Sequence, residues 1–62
     1  MKRWVTVVVE GVTIKAVKSL GGWVIASMSD WSQAGALEKK GVIHKAVGGP
    51  YLVKEWAEKG ER

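Results

Sequence analysis

The sequence has no cysteine, phenylalanine or asparagine, and only one proline, one histidine and one glutamine. Without cysteine, no disulfide can staple the chain and no thiolate site can hold zinc or an iron–sulfur cluster. A lone histidine rules out a histidine-rich metal site within one chain, and neither metal nor cofactor is expected. Long apolar runs are missing too, and none approaches the ~20 residues that cross a bilayer. Val5–Val9 is too short for the apolar part of a secretory leader, and Glu10 and Gly11 follow it. Together with the missing cysteines, that fits a reducing, cytoplasmic setting.

Catalytic patterns are equally scarce. His44 is the only side chain whose ordinary pKa lies near neutrality. No nucleophile elbow surrounds any serine. Gly21-Gly22 and Gly48-Gly49-Pro50 have neither of the spacings that cradle phosphates, so they read as turns. The chain is therefore expected to bind something rather than to be an enzyme.

What is present is apolar residue and positive charge. Apolar residues make up 47% of the 62, too many for a disordered chain. The length suits one domain covering residues 1–62, and a chain so short is marginally stable alone. Dense packing or assembly, including a homodimer, must then supply stability.

The net charge is +4, and it is unevenly placed. Up to Ala46, seven bases (Lys2, Arg3, Lys15, Lys18, Lys39, Lys40, Lys45) oppose three acids (Glu10, Asp30, Glu38), which gives 7 − 3 = +4. From Val47 on, Lys54, Lys59 and Arg62 balance Glu55, Glu58 and Glu61. Basic excess of this kind favours polyanions, either nucleic acid or an anionic membrane surface, and is also an ordinary solubility charge for a small domain.

Residue order gives the elements. Trp4–Val9 is rich in β-branched residues and reads as a strand. Glu10-Gly11 is a hairpin turn. In the strand that follows, Val12, Ile14 and Ala16 point one way and Thr13, Lys15 and Val17 the other. Ser19 to Gly22 turns the chain into a third strand over Trp23–Met28. There Val24, Ala26 and Met28 form one row and Trp23, Ile25 and Ser27 the other.

Asp30, with Gln33 three residues on, has capping-box spacing for a helix over Trp31–Lys40, and Gly41 is the natural stop. Val42–Val47 returns to strand. Pro50 can open a last helix carrying Leu52, Val53, Trp56 and Ala57 on one face, ended by Gly60. Glu55 and Lys59 are spaced to pair on that helix. The rival reading makes Tyr51–Trp56 a fifth strand.

The fold expected is α+β: an antiparallel sheet of three to four strands, in the order β-β-β-α-β-α, with helices on one face. The alternative order, β-β-β-α-β-β, would be a small five-stranded barrel of the OB or SH3 type.

Aromatic residues interleaved with basic ones are the most informative pattern. Exposed Trp beside Lys on a sheet is a recurrent way to hold single-stranded nucleic acid, because bases stack on rings and phosphates meet ammonium groups. Arg3, Lys15, Lys18, Trp23, Lys39, Lys40 and Lys45 are the candidate nucleic-acid-binding residues, with Trp23 as the stacking ring. Trp31 and Trp56 fall on apolar helix faces and read as core; Trp4 and Trp23 read as the more exposed pair. The second hypothesis is a protein-interaction or self-assembling domain that uses a strand edge or a Trp patch. Neither helix has the basic and strongly apolar faces of a membrane-surface helix, so no membrane partner is expected.

Overall fold

A computed structural model describes residues 3–60. Five strands form one antiparallel sheet: β1 (Trp4–Val9), β2 (Val12–Ser19), β3 (Gly22–Met28), β4 (Ile43–Ala46) and β5 (Gly49–Leu52). Their spatial order is β1-β2-β3-β5-β4, and the sheet is open. Helix α1 (Ala34–Lys39) follows β3 after a single 3-10 turn at Trp31–Gln33, and α2 (Lys54–Gly60) ends the described chain. The α+β class and the first three strands match the expectation. The sheet, however, has five strands rather than three or four, the strand count of the alternative reading, but it is an open sheet and not a barrel. The tail supplies both a strand and a helix, where either reading alone allowed only one.

Alternation builds the core. Val5, Val7 and Val9 of β1 face inward with Val12, Ile14 and Ala16 of β2, and their neighbours face outward. Each of these buried Val and Ile side chains contributes about 1.5–3 kcal/mol of transfer free energy. In β3 the simple alternation fails. Lys15 pairs with Ser27 but Ala16 pairs with Ile25, so Ala26 is an extra residue in a β-bulge. The bulge turns Met28 inward beside Trp23 and Ile25 and leaves both Ala26 and Ser27 exposed, which corrects the expected rows. Leu37 of α1 and Ala57 of α2 join the same core.

Pro50 does not open the last helix; it lies in β5, between two other strands. The hydrogen bond from Val53 N–H to the Val42 carbonyl sets the β4–β5 parity and turns the Pro50 nitrogen toward β3. The next rung there would pair Pro50 with Ile25, and Pro50 has no N–H to donate. The β3–β5 ladder accordingly stops after Trp23–Leu52 and Val24–Tyr51. The helix begins only where the Val53 carbonyl accepts from Trp56 and Ala57 N–H.

The expected stop of α1 is met, but the Asp30 signal caps the 3-10 turn instead, and α1 begins only after Gln33, which makes no side-chain cap bond. The Asp30 carboxylate accepts hydrogen bonds from Ser32 N–H (3.1 Å) and Ser32 Oγ–H (2.6 Å). At the other end Val42 N–H bonds to Leu37 O and Gly41 N–H to Glu38 O, a Schellman stop with Gly41 at φ +79°. Leu37 and Val42, the hydrophobic pair of that motif, are both buried.

Gly60 serves a different purpose from the helix stop expected of it. A Cβ there would lie 2.5 Å from Val7 Cγ1 and 3.0 Å from the Thr6 carbonyl oxygen. By the β1–β2 parity, set by the Lys18 N–H to Arg3 O bond, that carbonyl faces the free edge of β1. The end of α2 therefore covers an edge that would otherwise invite another strand.

Candidate nucleic-acid interface

Both helices contribute their buried residues to the inward side of the sheet. Among the described residues, no element lies over the outward side. Strand register runs one row of side chains across all five strands on that face: Trp4, Val17, Val24, Tyr51 and His44. Trp4 is 57% exposed, and Val17, Val24 and Tyr51 are half-buried between it and exposed His44. The adjacent row holds Thr6, Lys15 and Ser27, all exposed. An open sheet face with an aromatic ring at one margin and a lysine beside it is the geometry that strand-borne base stacking requires.

Tyr51 is held by glycine. Its hydroxyl donates to the Val47 carbonyl at 3.3 Å. A Cβ at Gly48 would come within 2.8 Å of that hydroxyl oxygen, and one at Gly21 within 3.2 Å. The two glycine-bearing turns thus provide the close approach that fixes the ring, and Gly48 also needs its φ of +97°.

The candidate residues separate into groups. Arg3 and Lys18 converge on Trp23, with the guanidinium carbon 5.8 Å and Nζ 5.5 Å from the ring centroid. Such cation–π contacts contribute about 0.5–1 kcal/mol at exposed sites. Trp23 itself is only 5% exposed, because it faces inward opposite Leu52. That burial corrects its reading as the stacking ring: it holds two cations at the sheet margin and offers no open face to a base. Lys15 stands on the outward face.

Lys39, Lys40 and Lys45 lie away from that face. Lys40 forms an ion pair with Glu10, and Lys45 approaches Glu38 at 3.8 Å. Lys39 is exposed in the last turn of α1. The seven expected residues therefore do not form one surface: Lys15 lies on the open face, Arg3 and Lys18 sit over inward-facing Trp23 at the sheet margin, and the other three lysines lie elsewhere.

The remaining tryptophans also differ from expectation. Trp31 is 50% exposed in the 3-10 turn and is not core. Trp56 is half-buried against the core, with Lys59 Nζ 4.1 Å from its ring centroid, so Lys59 reaches an aromatic face rather than the expected Glu55. Trp4, Tyr51 and His44 were not among the candidate site residues. Strand alternation carried the signal for Trp4, since inward Val5, Val7 and Val9 place it outward.

A cleft of about 640 Å³ adjoins this region, lined in part by Lys18, Trp23, His44, Tyr51 and Lys54. It lies at the Trp23–Leu52 end of the β3–β5 ladder, away from Pro50. Among the described residues no three of His, Asp and Glu gather at metal-binding range, and no helix is long and apolar enough to cross a membrane. No protein-family model matches the chain, and no curated protein or solved structure matches it either. The functional reading accordingly rests on this geometry.

Proposed function

We propose that this protein binds single-stranded nucleic acid on the outward face of its sheet. The observation that carries the proposal is the uncovered face itself, with exposed Trp4 at one end of a row spanning five strands. Trp4 stacks a base, worth about 1–3 kcal/mol. Lys15 on the face meets the phosphates, joined by Arg3 and Lys18, which reach round the sheet margin from the inward side where Trp23 holds them.

Fluorescence anisotropy with a labelled oligonucleotide tests this. Three phosphate contacts give a log–log salt slope near −2 for a single strand, so affinity falls about 20-fold between 50 and 200 mM salt. Trp4→Ala weakens binding about 5- to 150-fold. Absence of salt-sensitive binding to either DNA or RNA refutes the proposal.

The self-assembly reading fares less well at the strand edges. Gly60 covers the β1 edge near Thr6, and β4 is four residues long and carries Lys45.

A further inference from the structure

Three of the hairpins turn through two residues, the second a glycine: Glu10-Gly11, Leu20-Gly21 and Val47-Gly48. The first has a charged residue at its tip, as solvent favours. The other two carry large apolar side chains, and Leu20 and Val47 are both fully exposed. These two tips are neighbours, because the Tyr51 hydroxyl lies against both Gly21 and Gly48. The cleft of about 640 Å³ lies beside them, with Val47 and Gly21 in its wall and two lysines, Lys18 and Lys54, against one acid, Glu55, in its lining. Arg3 shares the Trp23 ring with Lys18. The Glu10 turn is at the other end of β2.

We infer that this end of the molecule docks on an anionic lipid surface, with Leu20 and Val47 entering the headgroup–acyl boundary and Lys18 and Lys54 meeting lipid phosphates. Apolar side chains at the interface add binding in proportion to the area they bury, and each nearby lysine adds attraction to anionic headgroups. Two protruding side chains need a matching pocket on a protein partner, whereas a fluid bilayer needs none. Leu and Val also present no ring for a base and no hydrogen-bonding group for its edges, so the tips lie outside the nucleic-acid reading. The inference departs from the sequence expectation of no membrane partner, which considered helices only. It depends on the hairpin tips and on Lys54, which the nucleic-acid reading does not use, and shares only Lys18 with that reading.

Co-sedimentation with vesicles of pure phosphatidylcholine and of phosphatidylcholine mixed with phosphatidylserine tests it. The expected result is pelleting with the anionic vesicles that weakens as salt rises, and little with the neutral ones. The double variant Leu20→Ser, Val47→Ser changes only exposed positions and should keep its circular-dichroism spectrum. Its partition onto anionic vesicles should fall at least about tenfold, since two apolar side chains no longer transfer, while its oligonucleotide affinity stays as in the parent. Lys54→Ala should weaken anionic binding alone. No pelleting with phosphatidylserine vesicles overturns the inference, as does pelleting that the double variant leaves unchanged. A double variant that loses oligonucleotide affinity overturns it as well, since the tips then belong to the nucleic-acid surface.

Discussion

Two glycines in two short helices should respond to alanine in opposite directions. Gly35 lies within α1, and a Cβ added there meets nothing within 4 Å. Gly35→Ala therefore gains helix propensity at no steric cost, up to about 1 kcal/mol. Gly60 ends α2 against β1, where the added methyl would lie 2.5 Å from Val7 Cγ1 and 3.0 Å from the Thr6 carbonyl oxygen. Val7 is buried, β-branched and stiff at χ1, and the carbonyl is backbone, so neither yields without moving the strand or the helix. Overpacking of this kind costs about 1–3 kcal/mol. The propensity gain offsets at most about 1 kcal/mol of it, and less at a helix end. A net loss of about 1–2 kcal/mol should lower the melting temperature by roughly 5–15 °C in a domain of this size. Urea unfolding followed by tryptophan fluorescence, with thermal melts beside it, measures both variants. If Gly60→Ala is neutral or stabilising, α2 does not seat on β1 as described, and the account of the covered edge fails with it.

Other outcomes follow from the same contacts. Glu10 adopts φ +51° beside Gly11, a left-handed position that costs most residues about 1–2 kcal/mol and Asn less. In a Lys40→Ala background, which removes the ion pair, Glu10→Asn should raise the urea midpoint. Alanine at Lys15 or Lys18 should each flatten the log–log salt slope for a single strand by about 0.7; alanine at Lys40 or Lys45 should leave it unchanged in the same anisotropy titrations. Hydrogen bonds from the Ser32 side chain and N–H hold the Asp30 carboxyl below its ordinary value of 3.8. A carboxyl depressed by folding stabilises the fold above its unfolded pKa, and that contribution fades as pH falls through the folded value. Acid titration of stability should thus be shallower below pH 3.8 in Asp30→Asn than in the parent.

Sequence legibility followed how local each cause was. β1 and β2 could be read as strands because β-branched content and alternation need only neighbouring residues, and the β2 rows came out as expected. The α1 stop could be read because Gly41 and its carbonyl partners lie within six residues. The Ala26 bulge could not, since nothing in Trp23–Met28 marks which residue is extra until β2 sets the register. The fate of Trp23 turned on its inward parity opposite Leu52, a residue of a strand that the sequence had assigned to a helix. Pro50 misled for a physical reason: its missing N–H suits a helix start, but here it ends a ladder to β3 instead. The site was legible as a set of types, Trp beside Lys, and not as a surface. Strand pairing brought Arg3 to Lys18, and the acids at positions 10 and 38 drew Lys40 and Lys45 away.

The central claim is that the outward face of the sheet is the nucleic-acid-binding surface. Amide and indole N–H chemical shifts, followed by NMR as a single-stranded oligonucleotide is added at low salt, test it most directly. The account predicts that the largest shifts map to Trp4, Lys15, Val17, Val24 and Tyr51, with the Trp4 indole among them and α1 unmoved. Shifts confined to the Lys39–Lys40 end of α1, or no shifts at saturating oligonucleotide, would contradict it.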